Sequence, residues 1–286
     1  MTKRAIFTAD DFGLDGAVNE AVEYTHRDGV LTSASLMVTA PAAADAIARA
    51  KRLPGLAVGL HLVLVLGEPA LPKDEAAALL GRDGSFADSP AEAGVRYFFS
   101  PAARRTLARE IRAQFEAFRQ TGLPLDHVDG HTHLHIHPTI FALLLEIGRE
   151  YGMKAMRVPY ENPAASARAA GKERLTRTAI SSAFAPWARS MRKRLDRAGV
   201  VSNDAQFGFH DTGRMTEELV LKQLEELEPD TVTEFYFHPA TRKSDILRRQ
   251  MPDYLNVEEF EALGSPRVRE AMKRLDITPV AFRDLS

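Results

Sequence analysis

Short apolar runs alternate with amphipathic stretches along most of this chain. RAIFTA, residues 4–9, reads as a buried strand, and residues 16–28 carry helical periodicity up to Gly29, a natural stop. LTSASLMVT (31–39) reads as a second strand, followed by an Ala-rich helix over 42–52 and the strand LAVGLHLVL (56–64). Residues 67–100, punctuated by Pro, Gly and Asp, read as an irregular insertion. Over residues 101–120, Leu107, Ile111, Phe115 and Phe118 recur on one helical face. The strand LDHVD leads into HTHLHIHP (131–138), and Pro138 opens the helix TIFALLLEIGREYG, since proline suits the first helical position. KAMRVPY, TVTEFYFHP and DITPVAF complete the expected strands. Strands alternating with helices predict an α/β chain with a parallel sheet covered by helices.

One interval departs from this rhythm. Residues 168–197 hold nine basic side chains (Arg168, Lys172, Arg174, Arg177, Arg189, Arg192, Lys193, Arg194, Arg197) against two acids, Glu173 and Asp196. Ile180, Phe184, Trp187, Met191 and Leu195 follow helical spacing there, and Pro186 is expected to break or kink the helix. A basic amphipathic stretch suits either an anionic membrane surface or a solvated helix packed on the domain. The rest of the composition narrows the class. At 286 residues, 45% hydrophobic and 27% charged, the chain can bury a full core. Its net charge of −2 excludes a general polyanion binder, so no nucleic-acid partner is expected. The absence of cysteine rules out disulfides and thiolate metal sites, in keeping with a reducing compartment. Neither a signal peptide nor an apolar run of ~20 residues is visible, so a cytoplasmic protein is expected.

Chemistry collects at the carboxyl ends of the expected strands. Asp10 and Asp11 follow IFTA, His61 lies in LAVGLHL, His131 follows HVDG and His238 follows TEFYF. In parallel α/β barrels catalytic groups gather at that end of the sheet, which outweighs the ordinary reading of each residue alone as a turn, cap or core histidine. Carboxylate and imidazoles without thiolates suit a hydrolytic divalent ion with an open position for water. One of the paired aspartates would ligate and the other take a proton from the water, whose pKa the metal lowers. His238 is the imidazole best placed to protonate a leaving amine. Glu234, four residues before His238 and so on the same strand face, would orient an imidazole or a substrate hydroxyl, and Arg157 would pair with a catalytic carboxylate; a structural ion pair explains both equally well. If 131–137 were extended, His131 and His135 would stand ~13 Å apart, too far to share an ion. That favours His131 as the ligand, with His133 and His135 as further ligands or substrate contacts, His127 as packing and His137 as the helix entry.

ADDFG (9–13), GLHLVL (59–64), HVDGHTHLH (127–135) and EFYFHPA (234–240) together resemble the YdjC-like (ChbG-type) carbohydrate deacetylases in order and spacing over nearly the whole chain. RAIFTADDFGL, GVLTSASLMVTAPAAADA and LPGLAVGLHLVLVLGEPALP look most like the hopanoid-biosynthesis-associated (HpnK-type) branch. The resemblance implies a single domain over 1–286 with a TIM-barrel-like (β/α) fold, irregular in strand count and with insertions near 67–100 and 159–208. It implies one divalent ion, Zn²⁺ or Mg²⁺, on Asp11, His61 and His131, with Asp10 as base and His238 as acid. The implied reaction removes acetyl from an N-acetylglucosamine joined to a hopanoid lipid. Such a substrate needs access from a membrane, for which VRYFFSP and AISSAFAPWARSM, and the basic residues 168–197, are the candidate surfaces at the inner face; a homo-oligomer is equally compatible. A metal-dependent phosphoesterase and a non-catalytic sugar-lipid binding protein are the competing readings.

Overall fold

The computed structural model describes residues 2–81 and 84–285. Among them are seven strands, β1 (Lys3–Phe12), β2 (Ser33–Leu36), β3 (Ala57–Leu62), β4 (Val128–Gly130), β5 (Ala205–Phe207), β6 (Val232–Phe237) and β7 (Ile277–Pro279). They form one sheet in the order β4-β3-β2-β1-β6-β5, with β7 against β1, and every ladder is parallel. β1 is long enough to serve three neighbours. Residues Arg4 to Ala9 pair with β6 on one edge, while on the other Lys3 to Ala5 meet β7 and Thr8 to Phe12 meet β2.

The ends of the sheet approach each other without a continuous ladder. Single bridges Val128↔Met156 and Ala155↔Val201, with hydrogen bonds from Met156 N to Val201 O (3.0 Å) and from Gln206 N to Tyr160 O (2.9 Å), carry the ring from β4 back towards β5. The expected strand KAMRVPY is therefore only a bridging segment, in which Pro159 has no N–H to give a ladder. The expectation of a TIM-like barrel is met in its coarser form, a barrel-like α/β fold rather than a closed eight-stranded ring.

Period-two alternation divides each strand between two environments. Ala5, Phe7, Ala9, Ala34, Leu36, Leu60, Leu62, Val128, Phe235 and Phe237 face the helices and make up the main core. Thr8, Asp10, Ser33, Ser35, His61, His127, Asp129 and Glu234 belong to the opposite, enclosed face and are all buried. That interior is layered. Ile6, Ala155, Val232 and Phe282 form a separate apolar floor at the start of the strands. Phe282 stacks on His127 at 4.6 Å between ring centres, and the polar groups lie above it. Gly59 makes room for His127: a Cβ there would come within 2.4 Å of the imidazole.

The helices follow the expected signals. Helix Gly16–Asp28 ends at Gly29. In helix Pro101–Thr121, Ser100 caps the N-terminus by accepting from Ala103 N, Pro101 starts the first turn, and Gly122 closes it in the left-handed region at φ 75°. Its expected apolar face, Leu107, Ile111, Phe115 and Phe118, is buried, each side chain contributing about 1.5–3 kcal/mol. Two polar residues on that face do further work. Gln114 accepts from Val63 N and donates to Val63 O, and Glu110 accepts from Ala70 and Leu71 N, which fixes the loop after β3.

Two expectations need correction. Residues 67–100 are not wholly irregular, because Ser89 caps a helix Pro90–Phe99 and a short helix spans Lys73–Ala76. Pro186 does not break its helix, which runs continuously over Arg174–Ala198. The burial of Ala188, Met191 and Leu195 beyond the proline holds the second half against the core. Of the nine basic residues in this region, Arg177 is buried in an ion pair with Asp211, Arg168 pairs with Glu226, Arg192 donates to Asp204 O and Arg194 covers the Phe141 ring. The basic surface is accordingly smaller than the sequence suggests.

Candidate active site

β1 delivers both aspartates through an irregularity. Its register against β2 shifts between Ala9 and Phe12, and Asp11 takes a left-handed φ of 61°. Such a bulge re-aims a side chain that strict alternation would send to the opposite face. Asp11 consequently reaches the imidazoles: Oδ1 lies 2.9 Å from His131 Nδ1 and 3.3 Å from His61 Nε2. His61 comes from the end of β3, and His131 follows β4 directly. Donor atoms of Asp11, His61 and His131 all lie within 4.8 Å of one another, and all three residues are buried.

The segment carrying four histidines is coiled, not extended. Residues His131–Ile136 form a 3-10 turn in which Thr132 and His133 adopt positive φ of 53° and 56°. The turn separates their tasks. His133 lines the cavity between Tyr236 and Phe209, at 5.0 and 5.8 Å between ring centres. His135 turns inward, its Nε2 3.2 Å from Arg157 O, and His137 precedes Pro138 at the helix entry as expected. Neither His133 nor His135 belongs to the converging set.

Below the triad, Arg157 ties the polar interior together. Its fork donates to Asp10 Oδ1 and Oδ2 at 2.8 and 2.7 Å, its Nε and Nη2 reach Glu234 at 2.9–3.0 Å, and Nη1 lies 2.6 Å from Asp129 Oδ2. Glu234 is further held by Thr8 Oγ1 (2.8 Å) and Gln206 Nε2 (3.2 Å). Asp129 accepts from Ser35 Oγ at 2.9 Å and stands 2.8 Å from His61 Nδ1. That contact fixes which His61 nitrogen faces Asp11, the usual backing for a metal-ligating imidazole. Arg157 pairs with three carboxylates, Asp10, Asp129 and Glu234, and Glu234 contacts this guanidinium and not an imidazole.

Electrostatics follow from this packing. Burial alone would raise the Asp11 carboxyl, but His131 and His61 outweigh it and hold the group well below the usual range. Burial likewise opposes charge on His61, yet Asp129 and Asp11 hold that imidazole well above its ordinary value. His133 is driven well below by burial and by Arg157, and His135 is lowered to about 4, chiefly by burial. His238, directly after β6, is lowered by burial, with Asp11 and Asp10 opposing.

The donor set fits a divalent cation. Among the described residues, one carboxylate and two imidazoles converge without a competing lysine or arginine on Asp11, and the buried atoms Asp11 Oδ2 and His131 Nε2 have no hydrogen-bond partner. Asp10, His61 and Asp129 form an overlapping group, but Arg157 already occupies both of its aspartates.

Asp10, His61, His131 and His238 all line one cavity of about 300 Å³, walled also by Phe209, Tyr236 and Tyr254. Tyr236 shares the β6 face of Glu234 and leads to His238, so strand alternation could have found it. Phe209 and Tyr254 lie on loops and carry no periodic signal.

A barrel-like parallel sheet with carboxylates and imidazoles gathered at the carboxyl ends of its strands defines a class of α/β protein built around one polar centre. Within that class the chain belongs to the YdjC-like protein family, whose pattern matches residues 4–274. It is similar to the carbohydrate deacetylase of Brevibacillus brevis, with 28% identity over 283 residues and 99% of each chain covered. The carbohydrate deacetylase of Vibrio vulnificus is 40% identical over 148 residues, 52% of this chain and 56% of that protein, so this match spans little more than half of that relative. A solved protein of Enterococcus faecalis V583 shares the fold, with a TM-score of 0.77, 24% identity and complete coverage of both chains.

Proposed function

We propose that this protein hydrolyses the N-acetyl group of an N-acetylglucosamine unit, as a metal-dependent deacetylase of the hopanoid-associated branch. The observation that carries this reading is the placement of Asp10 and His238 in one aromatic-walled cavity with His61 and His131. Aromatic walls suit the apolar face of a sugar ring, and the volume falls in the range of small-ligand sites. The carbohydrate deacetylases to which the chain is similar support the deacetylase part of this reading.

In this reading Asp11, His61 and His131 hold the cation, Zn²⁺ or Mg²⁺. When bound it would supply polarisation of the acetyl carbonyl and a more acidic water. Asp10, oriented by the Arg157 fork, takes a proton from the attacking water as its oxygen bonds to the acetyl carbon. His238 delivers a proton to the amine nitrogen as the C–N bond breaks, and acetate and free amine leave. His133, held neutral by burial, lines the cavity as a hydrogen-bonding contact for the sugar. A multi-metal phosphoesterase fits less well, because Asp129 and Glu234 are committed to Arg157.

The lipid portion of the substrate has support of a different kind. A second cavity of about 760 Å³ shares Leu66 and Gln250 with the first. Its walls combine apolar Leu14, Met37, Pro41, Val63 and Ile246 with charged Glu68, Asp88 and Arg249, and no aromatic ring lines it among the described residues. Phe98 and Phe99 on helix Pro90–Phe99, and Leu175 and Ile180 on helix Arg174–Ala198, are exposed apolar side chains. Both helices reach the histidine turn, where Phe98 lies 6.0 Å from His137 and Trp187 donates to Ile136 O at 2.8 Å. No helix among the described residues is long and apolar enough to cross a membrane, so contact would be peripheral.

The test is incubation of metal-loaded protein with an acetylated glucosaminyl hopanoid and with N-acetylated chitobiose, read by mass spectrometry. Loss of acetyl from the hopanoid in preference to the disaccharide is expected; loss from neither substrate refutes the deacetylase reading. Anionic vesicles should retain the protein and release the Leu175→Asp/Ile180→Asp variant. Equal retention of both, or of neither, refutes the membrane contact.

A further inference from the structure

Glu259 lies in helix Asn256–Gly264, outside every sequence motif described above, and is completely buried. Its carboxylate accepts the main-chain N–H of Met215 at 2.9 Å and that of His238. Oε2 also stands 4.0 Å from His238 Nδ1, a buried ring nitrogen without a hydrogen-bond partner. Asn256, one turn earlier on the same helix, donates from Nδ2 to His238 O at 2.7 Å. One helical turn thus grips both main-chain polar groups of His238, while Tyr254 and Tyr236 flank its ring at 4.9 and 5.5 Å.

Among the described residues no lysine or arginine pairs with this carboxylate, and burial pushes its carboxyl up to about 7. Burying an acid away from a cation is costly. A glutamine would fill the same space, but with one acceptor oxygen it would turn an N–H₂ donor towards one of the two main-chain donors. The acid is the residue that satisfies both N–H groups and sets negative charge beside Nδ1.

We propose that Glu259 is the positioning residue for His238: it fixes the imidazole at the cavity wall and backs Nδ1, so that Nε2 presents a proton to the leaving amine. A carboxylate behind one ring nitrogen favours the imidazolium, the form with N–H on both nitrogens. The proposal rests on the reading of His238 as the general acid.

The experiment is a double-mutant cycle on the metal-loaded full chain, with N-acetylated chitobiose as substrate and melting curves to verify folding. Glu259→Gln should lower kcat about 10- to 100-fold with KM changed less than about twofold. On a His238→Ala background the same substitution should change the residual kcat less than about twofold, because the group it positions is gone. Glu259→Asp, which keeps the charge, should restore part of the loss and replaces Glu259→Gln in the cycle if that variant does not fold. In ¹⁵N-labelled protein, the His238 Nδ1 resonance should move towards the unprotonated position on Glu259→Gln. Equal losses on both backgrounds, or an unchanged kcat in Glu259→Gln, overturn the proposal and leave His238 as acid. A fully active His238→Ala overturns the acid assignment and the proposal with it.

Discussion

Replacing Arg157 with leucine should make the stability of this protein steeply pH-dependent. Arg157 is fully buried and its guanidinium meets Asp10, Asp129 and Glu234, all buried as well. Breaking a buried ion pair costs ~3–5 kcal/mol. An independent figure comes from protonation. If one abandoned carboxylate takes up a proton at pH 7 instead of staying charged, about three pH units at 1.36 kcal/mol each give ~4 kcal/mol.

The sign follows from the two folded states. In wild type burial would raise the Asp129 carboxyl, but Arg157 and His61 hold it well below the usual range, so it stays charged from pH 7 to pH 4.5 and its contribution is lost only below the unfolded value. In the variant the abandoned carboxylate is protonated, at a cost of 1.36 kcal/mol for each pH unit above an unfolded value of ~3.9. The difference between wild type and Arg157→Leu should therefore be largest near pH 7, at ~4 kcal/mol, and shrink to ~1 kcal/mol near pH 4.5. For a chain of this size ~4 kcal/mol corresponds to a melting temperature lower by about 8 °C, at roughly 2 °C per kcal/mol. Melting curves of both proteins at pH 7 and pH 4.5, with chelator present, measure this. An equal drop at the two pH values would show that the loss is one of packing and not of charge, and would refute the reasoning.

Other outcomes follow from the same geometry. Asp10→Asn, which keeps the Arg157 side of the site filled, should reduce kcat by about 10²–10⁴ with little change in KM, and steady-state kinetics would read this directly. His131→Ala should abolish stoichiometric binding of Zn²⁺ or Mn²⁺ in titration calorimetry, whereas His137→Ala should leave it intact, because His137 lies at a helix entry and not in the converging set. Gly59→Ala should destabilise the fold by ~1–3 kcal/mol, since the added methyl meets the buried His127 ring; a melting temperature equal to wild type would contradict the packing described.

Much of this site is legible in one dimension because it depends on strand ends. A group at the carboxyl end of a parallel strand lies on one rim of the sheet whatever the distance in sequence. Hence Asp10, Asp11, His61, His131 and His238 can be chosen before any fold is known. Period two places Glu234 and Tyr236 on one face of β6 by the same logic. The coiled histidine turn is not legible in this way. HTHLHIHP has no glycine to mark its left-handed residues, and only the structure gives Thr132 and His133 positive φ. The helix Pro90–Phe99 is likewise hidden among breakers, although its Ser89 cap and Pro90 are local signals.

By itself the sequence determined the α/β class, the helix with Leu107, Ile111, Phe115 and Phe118 on its buried face, and the residues gathered at the rim, because periodicity, capping and strand direction are local properties. The tertiary structure alone decided what each polar group meets. A bulge at Asp11 turns two adjacent carboxylates to separate partners, one to imidazoles and one to a guanidinium. Arg157 meets carboxylates 147, 77 and 28 residues away in sequence, and Glu259 meets main-chain groups 44 and 21 residues away. Charge and burial are set by neighbours in space, and no spacing along the chain encodes which neighbours those will be.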